Sequence, residues 1–254
     1  MKLNYLSTIF FVCIFNISTA FSQVNIESIR SQNKEAVFWG EVKGGLELQR
    51  GNVDITAFDS DILVHFKKNK HHTFLQTKSS QGRQSGNEFK NNSFAHLRWT
   101  WMTWKILGFE MFTQIQQDEF KALNIRQLNG IGLRSEIIQS KNLSLSLGTG
   151  VMTDYEMLKD RKESTLIRST SYITMAKSVS KDRKNLILFT LYYQPLFTNQ
   201  EDYRINLEAN VRTILISSWN ISLDNTLKYM YDTNPPEDIL TNDILIKTSL
   251  LYAW

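Results

Sequence analysis

Charged and amide side chains recur at every second position in several stretches of this chain of 254 residues. The clearest stretch spans residues 203–212, and its polar positions are Arg204, Asn206, Glu208, Asn210 and Arg212. Because side chains alternate across a β-strand, this spacing places the polar groups on one face and the apolar groups on the other. Groups of both signs on one face can pair with each other or line a polar path for small solutes.

The same alternation along the chain predicts a set of charged side chains that face a common interior. The predicted set comprises Glu41, Lys43, Glu47, Asp61, Arg98, Glu110, Arg126, Arg134, Arg204, Glu208, Arg212, Asp224 and Lys228. An unpaired charge buried in such an interior is costly, so neighbouring acids and bases are expected to pair and to close the lumen. The alternative is a narrow polar path, which the arginines would bias towards anions.

Signatures of enzymes and of metal sites are mostly absent. The sequence contains no Gly-x-Ser-x-Gly elbow, no His-Glu-x-x-His and no phosphate-binding glycine loop. Cys13 is the one cysteine, and the adjacent His71 and His72 point to opposite faces of a strand. We therefore predict no catalytic residue, no cofactor and no metal. A lipid hydrolase with a Ser-His-Asn triad, using His65 or His96 as its base, remains an alternative.

The first residues are typical of an export signal. Lys2 is the one charge, residues 6–17 are apolar and residues 18–22 include the small side chains that cleavage requires. We predict a signal peptide over residues 1–22, with cleavage after Ala20 or an uncleaved anchor as alternatives. Residues 23–36 are then a polar periplasmic lead-in, and residues 37–254 form the folded domain.

The elements that must position these side chains are strands. From residue 37 onward we count about twelve alternating segments, and no later stretch approaches the roughly 20 apolar residues of a membrane-spanning helix. The mean hydropathy of −0.29 is compatible with a membrane protein, because a spanning strand needs apolar residues only at alternate positions. The pattern predicts an all-β fold, a transmembrane antiparallel up-and-down β-barrel of about 12 strands.

The last strand and the connections support this prediction. Apolar and polar side chains alternate along residues 239–254, which end on an aromatic residue, as expected of a strand that closes a barrel. Aromatic residues cluster near predicted strand ends, where membrane interfaces favour them: Trp101, Trp104, Tyr193, Tyr203, Trp219, Tyr231, Tyr252 and Trp254. The predicted extracellular loops are the longer ones, and residues 80–91 and 154–163 would serve a surface binding module.

Short motifs resemble a known family. The glycine-spaced hairpin at residues 40–54, the blocks between residues 97 and 134, and Asp243 some ten residues before the terminal aromatic resemble the DUF481 family, also called salt-induced outer membrane proteins. The terminal Trp254 stands where phenylalanine is more usual. The resemblance implies an outer-membrane barrel, but it brings no established activity and no catalytic residues.

Together these features predict a porin-like barrel of a Gram-negative-type envelope with a structural or osmotic-stress role and a closed lumen. The expected partners are outer-membrane lipid and the barrel assembly machinery, which would recognise the C-terminal strand. We expect a monomer, and the net charge of +4 gives no reason to expect nucleic acid. A narrow channel, a surface binding module and a soluble periplasmic barrel with an apolar interior remain alternatives.

Overall fold

The structure is a computed structural model that describes residues 37–50, 54–180 and 185–254. The predicted signal peptide over residues 1–22 and the lead-in over residues 23–36 lie outside the described residues. Within the described ranges, no helix is long and apolar enough to cross a membrane.

Twelve strands and two short 3-10 helices make up the described chain. The strands are β1 (Phe38–Gln49), β2 (Ile55–Lys68), β3 (His71–Gln84), β4 (Asn87–Trp101), β5 (Leu107–Asp118), β6 (Leu123–Gln139), β7 (Leu143–Leu158), β8 (Glu163–Ser178), β9 (Leu186–Pro195), β10 (Tyr203–Ile216), β11 (Ile221–Asp232) and β12 (Asn242–Ala253). The 3-10 helices are Glu119–Lys121, between β5 and β6, and Ser217–Trp219, between β10 and β11.

Each strand pairs antiparallel with its neighbours in sequence, and β12 pairs with β1 to close the ring. This confirms the predicted antiparallel up-and-down barrel and its number of strands. We call the end at which β1 begins and β12 finishes the terminal end, and the opposite end the loop end.

The two faces of the sheet differ in character. Along β5, burial alternates strictly from Gly108 to Asp118, with polar groups such as Glu110 and Gln114 inside. The outward side chains form an apolar belt that includes Phe58, Ile62, Leu97, Met111, Ile131, Val151, Val211, Leu227 and Ile246, all exposed. This polarity is the reverse of a soluble barrel with an apolar pocket, and it matches a barrel whose outer surface faces lipid.

The predicted loop over residues 80–91 is wrong. β3 continues to Gln84 and β4 begins at Asn87, so the connection is the two-residue turn Ser85–Gly86. Both turn residues have positive φ, 49° and 85°, which is the conformation that two-residue hairpins favour. Apart from Phe89 and two glycines, residues 81–91 are polar on both faces, so the alternation disappears although the backbone ladder continues.

The predicted loop over residues 154–163 is also wrong in most of its length, because β7 continues to Leu158 and β8 begins at Glu163. The expected division into long and short loops is observed only in part. Residues 196–202 and 233–241 are long connections at the loop end, as predicted. The β3–β4 turn at the loop end has two residues, whereas residues 102–106 connect β4 and β5 at the terminal end. Extended strands, more than long loops, therefore build the loop end, and the surface-module alternative loses both of its predicted loops.

Candidate functional site in the barrel interior

The interior of the barrel is filled by ion pairs that involve nearly all of the predicted charged residues. Among the described residues, every member of the predicted set except Glu47 has an oppositely charged side chain within 4.0 Å. Glu47 points inward and is half-buried. The pairs group into four clusters, of which the first two lie towards the terminal end, the third at mid-height and the fourth at the loop end.

The first cluster lies near the terminal end and centres on Glu110 of β5, which is 4% exposed. Arg98 Nη1 donates to Glu110 Oε2 at 3.3 Å, and Thr100 Oγ1 donates to Oε1 at 3.0 Å. The hydroxyl of Tyr172, on β8, also donates to Glu110. Because β5 and β8 are not neighbours, this hydrogen bond crosses the lumen.

Arg134 of β6 completes this cluster. Its guanidinium donates to Ser146 Oγ at 2.7 Å and to the Tyr172 hydroxyl at 3.3 Å. The Arg98 guanidinium lies 4.9 Å from the centre of the Phe112 ring and 5.5 Å from that of Tyr172. Stacking on two rings adds cation–π attraction to the ion pairs and fills the remaining space.

The second cluster connects β10, β11 and β1. Arg212 holds Glu41 through two bonds, from Nη1 to Oε1 at 2.5 Å and from Nη2 to Oε2 at 3.1 Å. Its Nε donates to Asp224 Oδ1 at 3.3 Å, and Lys43 Nζ donates to Asp224 Oδ2 at 2.6 Å. Two acids and two bases therefore balance, and the paired geometry offsets the cost of burying them.

The third cluster lies at mid-height. Lys228 pairs with Glu208 at 3.2 Å, and Lys78 pairs with Asp61 at 3.7 Å. Amide side chains complete these pairs, since Gln76 Nε2 donates to Asp61 at 2.5 Å and Asn210 Nδ2 donates to Glu208 at 3.1 Å. These groups come from both sides of the β1–β12 junction.

The fourth cluster lies at the loop end and centres on Asp154 of β7, which is fully buried. Three guanidiniums share this carboxylate. Arg126 donates through Nε and Nη2 at 2.8 Å each, Arg204 through Nη1 at 2.8 Å, and Arg168 through Nε at 3.2 Å. Such forked bonds fix both the position and the orientation of each partner.

An outer ring of acids completes the fourth cluster. Glu156 accepts from Arg204 Nη1 at 2.8 Å, and Asp232 accepts from Arg204 Nε at 2.6 Å. Asp202 accepts from Arg168 Nη1 at 2.8 Å. With Asp154, four carboxylates surround three guanidiniums, so the cluster offers no surplus positive charge to a solute anion.

One ion pair crosses the loop-end mouth itself. Lys121 of the first 3-10 helix bonds to Asp243 of β12, although β5 and β12 are five strands apart in the ring. The helix is anchored at Glu119, which accepts from Lys159 at 3.1 Å and from Asn91 at 3.0 Å. These two hydrogen bonds, from Lys159 first and Asn91 second, lower the pKa of the Glu119 carboxyl.

The terminal-end mouth leads into a vestibule of about 520 Å³. Its wall includes Trp39, Lys67, His72, Glu136 and Ser146. The vestibule reaches the first cluster, since Ser146 is bonded to Arg134 and Glu136 lies 3.8 Å from the same guanidinium. The ions of the first cluster therefore stand between this vestibule and mid-height.

The histidines are arranged as stacked rings. His71 points outward and stacks on Trp99 at 5.6 Å, whereas His72 points inward and stacks on His65 at 5.2 Å. His65 Nδ1 and His72 Nε2 lie 3.0 Å apart, and His96 Nδ1 lies 3.1 Å from Gln114 Oε1. Among the described residues, no group of three or more possible metal ligands is found.

Several interior residues were not in the predicted set. Asp154 was assigned to a loop, Arg168 lies in a strand whose alternation is poor, and Asp202 lies in a connection. Asp59 and Tyr172 also face inward. Asp59 followed the alternation of its strand and could have been included. The roles of Arg168 and Asp202 depend on strand pairing that the local pattern does not contain.

A family model described as "Protein of unknown function, DUF481" matches residues 42–254. None of the curated proteins matches the sequence.

Solved structures with a similar fold include a bacterial polysaccharide outer membrane secretin, with 8% identity and a TM-score of 0.46, which covers 86% of this chain and 98% of that chain. The NanC porin has 7% identity, a TM-score of 0.44, and coverage of 85% and 97% respectively. The translocator domain of the autotransporter NalP from Neisseria meningitidis has 7% identity, a TM-score of 0.43, and coverage of 90% and 92%.

Proposed function

The chain belongs to the DUF481 family of proteins of unknown function, and we propose that it is an outer-membrane β-barrel with a closed lumen and a structural role in the envelope. The observation that carries the proposal is the set of paired charges that occupies the interior from the terminal end to the loop end. A solute path would have to break buried ion pairs in several of the four clusters, and each such break is costly.

The outer face supports the membrane location. Its belt of exposed apolar side chains would be unfavourable in water, and a closed ring leaves few backbone groups without partners in lipid. Outward aromatic rings form a row near one rim, with Tyr203 lying 5.5 Å from Tyr193 and 5.9 Å from Tyr231. Such rows are typical of the boundary between lipid and water.

The route to the membrane is part of the same proposal. The predicted signal peptide would direct export, and the alternating last strand, β12, would be recognised by the barrel assembly machinery. We propose a monomer, because the charged groups of the interior find their partners within one chain. Detergent-free recovery of the protein in the soluble periplasmic fraction would contradict this location.

We propose no catalytic role. The hydrolase alternative requires an imidazole beside a nucleophilic hydroxyl at the lipid surface. His65 and His96 are both buried inside, where they lie beside another imidazole and an amide. Hydrolysis of lipid esters by the purified barrel that is lost in both His65→Ala and His96→Ala would contradict this proposal.

Planar bilayer recordings test the closed lumen. We expect no discrete conductance steps from the wild-type barrel, because the first cluster and the fourth cluster both obstruct the barrel axis. A double variant Arg134→Ser/Tyr172→Ser, which removes two of the large side chains of the first cluster, is the matched control. This double variant should still not conduct, because the fourth cluster remains. Conductance should appear only when Arg126, Arg168 and Arg204 are also replaced. Regular conductance steps from the wild type would overturn the proposal.

The structural role is tested in cells. Deletion of the gene should make the envelope leak periplasmic proteins or become sensitive to osmotic shifts. A plasmid copy of the wild-type gene, whose barrel does not conduct, should restore envelope integrity. Normal envelope integrity across the whole osmotic range in the deletion strain would contradict a structural or osmotic-stress role.

A further inference from the structure

The junction of β1 and β12 is paired over only part of its length. The ladder joins Glu41–Gly44 to Leu250–Ala253, and backbone bonds between Gly40 and Trp254 complete it at the terminal end. Beyond Gly44, no further pair of these two strands occurs among the described residues. In contrast, β1 stays paired with β2 up to Gln49, and β12 stays paired with β11 up to Asn242.

Both strands therefore continue with free edges that face each other. Extending the observed register would set Leu46 against Thr248 and Leu48 against Ile246. The outward side chains here are unusually exposed, 68% for Leu46 and 78% for Ile246. Because unpaired backbone groups are costly in hydrocarbon, this half of the junction needs polar partners from the lumen or from a ligand.

Two glycines stand where the strands separate. Gly44 is the last paired residue of β1, and a side chain there would point into open space. At Gly45 a Cβ atom would lie 3.7 Å from Asp59 Oδ2 and 3.8 Å from Lys247 Cε. Both distances are ordinary van der Waals contacts, so Gly45 lies directly beside the place where Lys247 of β12 reaches past β1 to Asp59 of β2. The two groups pair there at 3.3 Å.

A small interior pocket of about 50 Å³ lies directly behind this gap. Its charged lining consists of Lys43, Lys78, Lys228, Lys247, Asp59, Asp61 and Glu208. Lys43 is paired with Asp224, outside this lining, and a further lysine, Lys90, bonds to Asp59 at 2.7 Å. Asp59 is thus a carboxylate held by two ammonium groups at the inner side of an opening that faces lipid.

We propose that the loop-end half of the β1–β12 junction is a lateral portal for a single-chain amphiphile with a carboxylate head group. The head group takes the place of the Asp59 carboxylate beside Lys247 and Lys90, and the alkyl chain lies between the apolar edges of β1 and β12. A carboxylate fits because the same chemical group already occupies this small site. The proposal rests on the membrane location proposed above, but not on the closed lumen, which bilayer recordings test separately.

Lysine suits this role better than arginine. Its ammonium is a single charge on a flexible stem, so Lys247 can turn from Asp59 to an incoming head group. The Lys247 side chain is 30% exposed, in contrast to the nearly buried arginines of the other clusters. The gap, the glycines and the half-exposed lysine therefore lie together on one path from lipid to the interior.

Binding of pyrene-labelled hexadecanoate to the barrel in phosphatidylcholine nanodiscs tests the proposal. Asp59→Asn should raise the affinity about tenfold, because it removes the internal competitor. Lys247→Glu should lower the affinity at least tenfold, whereas Lys177→Glu on β8, far from the junction, should leave it unchanged. The same probe with an alcohol head group should respond to none of these variants.

A covalent closure of the junction gives a second test that does not depend on charge. The described residues contain no cysteine, so Leu46→Cys/Thr248→Cys introduces a single pair at facing positions of the extended register. Oxidation should abolish hexadecanoate binding, and a reductant should restore it. Failure of the disulfide to form would leave the charge variants to decide.

Three results would overturn the proposal. They are equal binding by the oxidised and reduced double variant, a loss of affinity in Asp59→Asn, and equal binding of the carboxylate and alcohol probes. Tighter binding of a lysophosphatidate than of hexadecanoate would overturn the assignment of a carboxylate head group and show that the site prefers a phosphate. Disulfide-linked dimers of Leu48→Cys alone would instead show that the free edge pairs with a second copy.

Discussion

Two carboxylates in the same lumen are held in opposite ways. Asp154, at the centre of the loop-end wall, is fully buried and shared by three arginines. Asp59, beside the β1–β12 junction, has a side chain that is 17% exposed and is shared by two lysines. Around Asp154 the ladder of β6 and β7 extends from Leu123 to Gln139, whereas near Asp59 the ladder of β1 and β12 stops at Gly44.

The difference shows that completeness of the sheet and rigidity of the charges go together in this barrel. Arginine presents a planar fork that bonds a carboxylate in one orientation, so it suits a wall that does not open. Lysine can exchange partners, so it suits the junction at which two strands separate. The proposed closed lumen and the proposed lateral portal are therefore compatible within one barrel.

The largest expected effect separates the two carboxylates directly. Asp154→Ala leaves three guanidiniums without their shared partner, so the free energy of unfolding should fall by about 3–5 kcal/mol. Asp59→Ala should cost less than Asp154→Ala, because the Lys247 side chain is 30% exposed and can turn to water. Urea titration of the barrel in lipid vesicles, followed by tryptophan fluorescence, measures both values. Equal losses would remove the distinction.

A smaller effect is expected from exchanging the two cation types. Arg168→Lys should destabilise the barrel by about 1.5–3 kcal/mol, because its charged bonds to Asp154 and Asp202 cannot both be kept. Lys247→Arg should change the unfolding free energy by no more than about 1 kcal/mol. The same titration applies, and a larger loss from Lys247→Arg would show that the junction is as rigid as the wall.

Glycines sharpen the comparison without changing charge. A Cβ atom at Gly148, on β7, would overlap the Tyr172 ring, so Gly148→Ala should cost about 1–3 kcal/mol through overpacking. Gly44→Ala meets no atom within 4 Å and should stay within about 0.5 kcal/mol. The shift of the midpoint of the urea unfolding curve measures the effect of both variants. Indifference to Gly148→Ala would mean that the Tyr172 ring moves freely.

The smallest expected effect sets a baseline outside the lumen. Arg83 and Glu88 pair at 3.2 Å near the tip of the β3–β4 hairpin, and both side chains are exposed. Glu88→Ala should therefore change the unfolding free energy by less than about 0.5 kcal/mol. A loss as large as that of Asp154→Ala would show that the hairpin tip is part of the stable barrel.

Much of the architecture was predictable from local patterns. The alternation in residues 203–212 predicts one strand with its polar face inward, and Arg204, Glu208 and Arg212 all bond within the lumen in the structure. The prediction failed at residues 80–91. Above the apolar belt both faces of a strand meet water, so the ladder continues without leaving a hydrophobic pattern in the sequence.

Partners across the lumen could not be predicted. Lys121 and Asp243 are separated by 122 positions in the chain, and their contact depends on how the whole ring closes. Asp154 lies on a strand that extends beyond the predicted boundary, and Arg168 follows no clear alternation. The sequence around Asp154 and around Arg168 therefore did not indicate that these two residues would form the centre of a cluster.

Where the alternation is clear, the amino-acid sequence alone specifies which side chains face inward, because the period of two in a strand is a property of local covalent geometry. Which charges meet, and where β1 and β12 separate, is decided only in the closed barrel. The reason is that strand number, stagger and tilt together set the position of every residue across the lumen. The ion pairs across the lumen and the incomplete junction are therefore properties of the ring as a whole, not of any one strand.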